Sequence, residues 1–303
     1  MKVIKDVAKE SFKDTILTLG NFDGLHLGHQ RILRAVSARA KELRLKSVVY
    51  TFDPHPQKVV APDKSPPLIM TLVEKILLLE GFSIDYLVVA AFTKKLAQKD
   101  PREFVKEVLV EGFSAREVIV GHDYAFGKGK RGTINHLKEL AKEFGFKVTV
   151  IEAYKLGGQV VSSSRVREEI KEGRPGKAKR LLGREFSVTG SVVRGTDIGH
   201  ALGFPTANIK PKTELRPKEG VYAVRAKVDK KTYNGVANIG CAPTFGGKEP
   251  VIEIHLFDFN ADIYDKLITV AFIRRLRNEK TFKDKEALRV QIKKDIARAK
   301  KLL

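Results

Sequence analysis

The sequence predicts an α/β domain followed by a β domain: a doubly wound, mostly parallel sheet, then a β-barrel with a closing helix. Three observations predict it. Apolar β-type runs alternate with helical periods through the first half of the chain. Beyond residue 184 the runs become short strands separated by Gly and Pro turns. The C-terminus then returns to helical spacing. A length of 303 residues accommodates two domains of ordinary size.

The elements follow in order. TILTLG (15–20) reads as a strand, and Ile32, Leu33, Val36, Ala40 and Leu43 then mark a helix over 29–45. SVVYTF (47–52) is a second strand, TLVEKILLLE (71–80) a helix and DYLVVAAF (85–92) a strand. PREFVKEVLVEG (101–112) starts on Pro and closes on Gly, as helices do. EVIVG (117–121), a helical stripe of Ile134, Leu137, Leu140, Ala141 and Phe144, and FKVTVIE (146–152) complete the alternation. Two short helices are expected at 164–173 and 176–182, split by Gly173, Arg174 and Pro175. The barrel strands are EFSVTGSVV, GVYAVRAKV, TYNGVANIG, VIEIHLFDF and LITVAFIRRL, and Leu288, Ile292, Ile296, Ala299 and Leu303 form the last helical stripe. The domain boundary is expected near 183–186, dividing the chain into 1–183 and 184–303.

Composition narrows the function classes. No apolar run approaches the ~18 residues of a spanning helix, and MKVIKDVAKESFKD lacks a secretory apolar core. No membrane role is expected. The single cysteine, Cys241, excludes an internal disulfide and a four-cysteine metal site, and fits a reducing cytoplasm. The net charge of +21 has two readings, polyanion binding or a solvated lysine-rich surface. The second is preferred, because the basic residues are spread along the chain and no nucleic-acid module accompanies them. No nucleic-acid partner is expected.

The strongest local feature is GNFDGLHLGHQRIL (20–33), which ends the first strand and opens the first helix. Open α/β sheets bind ligands at such strand ends. Gly20, Gly24 and Gly28 allow close backbone approach to phosphate, and the helix start offers N–H groups and a positive dipole end. His26 and His29 flank Gly28 as HxGH, placing two imidazoles to donate to a polyphosphate as charge builds on it. The alternative is a turn histidine beside a helix-cap histidine. A metal site is disfavoured, since no third ligand lies nearby in sequence.

This HxGH string resembles the nucleotidyltransferase superfamily, with its Rossmann-like sheet. Asn21, Phe22 and Asp23 ahead of it narrow the resemblance to the FMN adenylyltransferase module of bacterial FAD synthetases. TFDPHP (51–56) looks like that family's flavin-side loop, VGHDYAFGKGKRG (120–132) its VGxDFxFG segment, and SSSRVR (162–167) its SSTxIR motif. The resemblance implies that His26, His29, Ser163, Ser164 and Arg167 handle the ATP phosphates with Mg²⁺, and that Asn21 supports the phosphate loop. It implies flavin contacts from Pro54, His55, Pro56 and Asp123. Two departures stand out: Ser164 replaces Thr, and His122 sits where an aromatic is expected.

GSVVRGTDIGHALGFPTANI (190–209) is a glycine-punctuated stretch, read as a loop, in which Gly195 and Gly199 are candidates to wrap ATP. Thr206 and Asn208 supply neutral oxygens that suit Mg²⁺ together with phosphate. Glu253 is an acidic residue on an otherwise alternating strand, which by itself reads as solvent-facing. PTAN, GVYAV (220–224), NIGCAPTF (238–245), IEIHLFDF (252–259) and RRLRNEKTF (274–282) together resemble a riboflavin kinase domain, in order. The resemblance implies that Thr206 and Asn208 bind the Mg²⁺ of ATP and that Glu253 is the general base on riboflavin. His200 departs from a longer basic residue, and Asp265 stands where Gly is expected after Tyr264. Cys241 reads as structural.

The expected activity is bifunctional: riboflavin and ATP to FMN, then FMN and ATP to FAD and pyrophosphate. Riboflavin, FMN and ATP are the expected small-molecule partners. Two alternatives carry their own tests. One keeps a single active site, the other being degenerate through His122 or Asp265. The other is a basic nucleic-acid binder using the HxGH domain as scaffold, for which filter binding at two salt concentrations discriminates.

Overall fold

The computed structural model describes residues 1–5, 12–194, 203–241 and 250–303. They form two compact units: Met1–Pro67 with Leu72–Ser162, and Leu68–Thr71 with Ser163–Leu303. Among the described residues no helix is long and apolar enough to cross a membrane.

The first unit is built on six strands: β1 (Lys2–Ile4), β2 (Thr15–Leu19), β3 (Lys46–Asp53), β4 (Tyr86–Ala91), β5 (Ala115–Gly121) and β6 (Lys147–Ile151). Their order is β1-β4-β3-β2-β5-β6 and every pair is parallel. All five residues of β2 are buried, as a parallel strand covered on both faces requires. From β2 the chain runs out to β3 and β4 on one side and later to β5 and β6 on the other. The end of β2 is therefore the topological switch point, where doubly wound sheets open a crevice.

Helices α1 (Leu27–Leu43), α2 (Pro56–Val60), α3 (Leu72–Leu79), α4 (Lys94–Ala97), α5 (Pro101–Phe104) and α6 (Ile134–Phe144) fill the connections. The expected 101–112 helix is α-helical only over α5, and Val105–Gly112 continues with π-helical turns. Its apolar residues Val105 and Leu109 are four apart and bury on one face under either winding, so periodicity does not separate the two. Strand β1 was not expected: three residues carry no alternation, and only pairing with β4 makes them a strand. Two-residue strands β7 (Lys155–Leu156) and β8 (Gln159–Val160) form a hairpin through Gly157 and Gly158, both at positive φ.

The second unit carries α7 (Ser163–Lys171) and α8 (Pro175–Leu182), followed by a closed antiparallel barrel. Its strands are β9 (Phe186–Val193), β10 (Ala207–Pro211), β11 (Gly220–Val228), β12 (Lys231–Cys241), β13 (Pro250–Leu256) and β14 (Leu267–Arg277), in the order β10-β13-β12-β11-β14-β9. Strict alternation in β9 puts Phe186, Val188 and Val192 inside, with Ile209, Ile252 and Ile254 facing them. The sequence predicted five of these strands. The sixth, β10, lies in the stretch read as a loop. It is short, ends on Pro211 and includes Asn208, so its pattern is weak, yet it bridges β9 and β13 and closes the barrel. The closing helix α9 (Lys285–Lys300) lays Ile296 and Ala299, with Leu302 and Leu303 beyond it, over an apolar patch of Val221, Ala223, Val236, Phe257 and Leu276.

The Asp265 departure is accommodated locally. Asp265 takes φ +60, the left-handed conformation for which a glycine was expected, and its N–H donates to the Val192 carbonyl at 3.0 Å. Asp is among the few residues that tolerate this region.

Candidate functional site

The first site grows from the turn between β2 and α1. Phe22 (φ +48), Gly24 (φ +84) and Leu25 (φ +41) all lie in the left-handed region. For Phe and Leu this conformation is strained, and burial of both side chains holds it in place. The turn delivers His26 as the N-cap of α1, where its Nδ1 accepts the His29 backbone N–H at 3.3 Å. A histidine cap is rare, and it has a chemical consequence: neutral His26 then carries its proton on Nε2. The His26 and His29 rings stack 3.6 Å apart at 18°, and Phe22 meets His29 edge-on at 5.3 Å. Gly28 makes the stack feasible, because a Cβ there would stand 3.1 Å from the His26 ring. The helix-cap histidine of the alternative reading is therefore present, as His26.

Electrostatics single out His29. Its Nδ1 is enclosed and has no hydrogen-bond partner among the described residues. Burial holds the imidazole well below its ordinary range, and His26 when protonated and the Lys75 ammonium lower it further. A buried ring nitrogen without a partner, at a helix N-terminus on the crevice of the sheet, is a group awaiting a ligand.

The TFDPHP loop follows β3, the neighbour of β2. The Asp53–Pro54 peptide is cis, and His55 caps α2 through Nδ1, accepting the Gln57 N–H at 3.2 Å, with Pro56 as the first helical residue. Asp123 follows β5, the other neighbour of β2. His122, Asp123, Tyr124, Thr133 and Asn135 line an open cleft of about 290 Å³ there. Asn21, Pro54–Pro56 and Asp123 thus all lie at the same edge of the sheet as the histidine pair. In the second unit, α7 begins at Ser163 and Ser164, and Arg167, one turn on, is buried.

Sequence reasoning missed Lys75 on α3. It is 8 % exposed, and its Nζ donates to the Asn21 carbonyl at 2.7 Å and to Thr51 Oγ1 at 3.4 Å. Its signal is faint: a lysine in an apolar helical run, TLVEKILLLE, is ordinarily read as the helix's wet face.

The second site is a row across the barrel's outer face. Asn208 on β10 lies directly opposite Glu253 on β13, and Glu253 lies opposite Asn238 on β12. Residues paired in this way share a face, about 5 Å apart at Cβ. Glu253 takes the outer face, as its strand alternation suggested, but is half-buried there rather than fully exposed. Burial raises its pKa above the ordinary carboxylate value, and the negative charge of Glu279 raises it further. The Glu279 carboxylate lies against Gly240. Asn208 is 5 % exposed and Thr206 half-buried just ahead of it. His255, two residues beyond Glu253, bonds the Pro205 carbonyl through Nδ1 at 2.9 Å and meets Phe204 edge-on. Asn238, His255 and Glu279 were not singled out in sequence, because only strand register brings them to Glu253. Gly195, Gly199 and His200, the 242–245 turn and the Cys241 side chain lie outside the described residues.

Comparisons with known proteins match both halves of the chain. The FAD synthetase family matches residues 8–165 and the riboflavin kinase family residues 182–303. The bifunctional riboflavin kinase/FMN adenylyltransferase of Haemophilus influenzae is 37 % identical over 285 residues, covering 94 % of this chain and 92 % of that protein. Its counterpart in Escherichia coli strain K12 is 33 % identical over 299 residues, covering 97 % and 96 %. A Streptococcus pneumoniae crystal structure, described as a macrolide-efflux protein, superposes with a TM-score of 0.88 at 29 % identity over 99 % of this chain and 98 % of its own. That description belongs to that protein and names an activity different from the one both family matches and the curated relatives carry. With each half matched in turn and relatives aligned nearly end to end, the chain belongs to the bifunctional riboflavin kinase/FMN adenylyltransferase family.

Proposed function

We propose that this chain makes FAD from riboflavin in two ATP-dependent steps at two separate sites, with kinase chemistry on the Glu253 row and adenylyl transfer at the His26/His29 pair. The observation that carries the reading is the stacked histidine pair at the switch point of the sheet, with a buried His29 Nδ1 that has no partner among the described residues. The functional division proposed is residues 1–183 for adenylyl transfer and 184–303 for the kinase.

In the kinase step, Glu253 takes the proton of the riboflavin 5′-hydroxyl as its oxygen attacks the γ-phosphate of ATP, and ADP leaves. A carboxylate with a raised pKa is a stronger base for this task. Mg²⁺ fits the donor set, since the Thr206 hydroxyl and the Asn208 amide oxygen are hard, neutral ligands beside a carboxylate. Bound there, the ion would neutralise charge on the ATP phosphates. Gly195 and Gly199 are assigned to the loop that wraps ATP.

In the adenylyl step, a phosphate oxygen of FMN attacks the α-phosphate of ATP and pyrophosphate leaves. No protein nucleophile is needed, so the residues align two anions and stabilise charge. His26 through Nε2–H and neutral His29 donate to the transferring phosphate, and the turn carrying Gly20, Asn21, Gly24 and Gly28 frames it. Ser163, Ser164 and Arg167 are assigned to the ATP phosphates, and Pro54, His55, Pro56 and Asp123 to the flavin. ATP use and the single cysteine favour a cytoplasmic location, and the charge of +21 serves anionic nucleotides rather than a nucleic acid.

The test is direct. Purified protein is incubated with riboflavin, ATP and Mg²⁺, and flavins are resolved by chromatography. FMN followed by FAD is expected. FMN without FAD, even when FMN is supplied, removes the adenylyl half, and unchanged riboflavin removes the kinase half.

A further inference from the structure

Burying an ammonium inside an α/β core is unfavourable, and an apolar side chain of similar size fills the same space without that penalty. Lys75 nevertheless sits under the edge of the sheet where the first site lies. Its Nζ reaches two segments at once. One is the turn after β2, through the Asn21 carbonyl at 2.7 Å; the other is the end of β3, through Thr51 Oγ1 at 3.4 Å. Thr51 in turn donates to the same Asn21 carbonyl at 3.4 Å, closing a three-membered network. Burial lowers the Lys75 pKa, and each segment contributes a carboxylate whose charge opposes that shift: Asp23 from the turn and Asp53 from the strand end.

The Asn21 carbonyl is a consequential place to hold. In a trans peptide the carbonyl and the following N–H point to opposite sides, so fixing Asn21 C=O toward Lys75 turns the Phe22 N–H the other way. Phe22 is also the first residue of the strained turn, at φ +48, and strained turns persist only where their surroundings over-determine them. Immediately after Asp53 the chain enters the loop that begins at cis-Pro54.

We infer that Lys75 is a positioning residue for adenylyl transfer, its buried ammonium tying the phosphate turn after β2 to the end of β3 so that the ATP-side and flavin-side loops are set as one unit. The inference rests on the assignment of adenylyl transfer to His26 and His29. Lys75 also adds a positive charge near His29, alongside that of His26, and so favours the neutral imidazole.

The experiment uses the full chain with Lys75→Met and Lys75→Arg, measuring FMN-to-FAD and riboflavin-to-FMN rates on the same preparations. Lys75→Met is expected to lower kcat/KM for FAD formation on the order of 10²-fold, the effect of a small misplacement of aligned reactants. The acid limb of its pH profile moves to higher pH, because one of the two charges facing His29 is gone while His26 remains. Riboflavin phosphorylation stays within about twofold, and Lys75→Arg falls between Met and wild type. FAD formation within about threefold of wild type, with an unmoved acid limb, overturns the inference. If Lys75→Met also loses the kinase activity, Thr51→Val decides. A loss of FAD formation of about tenfold with the kinase intact supports the network, and an unchanged rate overturns it. His29→Ala is run alongside: if it leaves FAD formation intact, the site assignment fails, whatever Lys75 does.

Discussion

The two sites are assembled in opposite ways. At the first, Asn21, His26, Gly28 and His29 lie within one turn and the helix it opens, and the sheet's switch point supplies the crevice. At the second, Asn208, Asn238 and Glu253 come from three strands, and only barrel register aligns them. A site on a single turn is set by local backbone geometry. A site on a row is set by hydrogen-bond pairing between distant segments, so its residues reveal nothing of one another in sequence. Electrostatics differ as well. Burial favours the neutral form of the titratable group at each, but the added charge differs: positive charge from His26 and Lys75 disfavours a protonated His29, whereas the Glu279 carboxylate disfavours an ionised Glu253.

The contrast can be broken most sharply at Glu253. Glu253→Gln should lower FMN formation by roughly 10²–10⁴-fold, the range of a lost general base, while FMN supplied directly still becomes FAD. Loss of both rates together means that the sites are not independent. His29→Ala should do the reverse, with FAD formation down about 10²–10³-fold and riboflavin phosphorylation unchanged in the same tube.

The pH profiles separate the sites further. Because His29 lies below the ordinary imidazole value of 6.5, it stays neutral as pH falls through 6.5. The kcat/KM for FAD formation should therefore show no acid limb at 6.5, only one below it. Because Glu253 lies above the ordinary 4.5, the acid limb of kcat/KM for the kinase should fall above 4.5. An adenylyl limb centred on 6.5 would show that His29 titrates as a solvated imidazole.

Gly28→Ala tests the stack alone. Helix propensity favours Ala by up to about 1 kcal/mol, so thermal stability should not fall through the backbone. The new Cβ displaces the His26 ring, and FAD formation should drop about tenfold; an unchanged rate sinks the stacking argument. The smallest effect is expected at Asp265→Gly. It relieves a left-handed residue without altering the turn, so both rates stay within about twofold and stability shifts by less than about 1 kcal/mol. A large gain in kinase rate would mean that Asp265 had impaired the site.

Legibility followed the range of the interactions. The α/β alternation and the HxGH string were visible because strand burial, helix capping and turn chemistry act over a few residues. Strand β10 was read as a loop because five residues ending in Pro carry little pattern, although Asn208 depends on it. Glu253 read as solvent-facing by alternation, because period two says which face a residue takes and not what covers that face. The π-helical turns at Val105–Gly112 escaped notice because residues four apart bury together under either winding.

By itself the sequence determined the two architectures, the turn that places a histidine pair at a helix start, and the order of the two families of motif. These depend on local periodicity and on residues with special backbone preferences. Tertiary structure alone decided that six strands close the barrel, that Glu253 has Asn208 and Asn238 as neighbours, and that Lys75 points inward to the Asn21 carbonyl. Each is a pairing between segments far apart in the chain. A lysine on a helix has the same letter whether it meets water or a buried carbonyl, and only the packing of α3 against the strand ends distinguishes them.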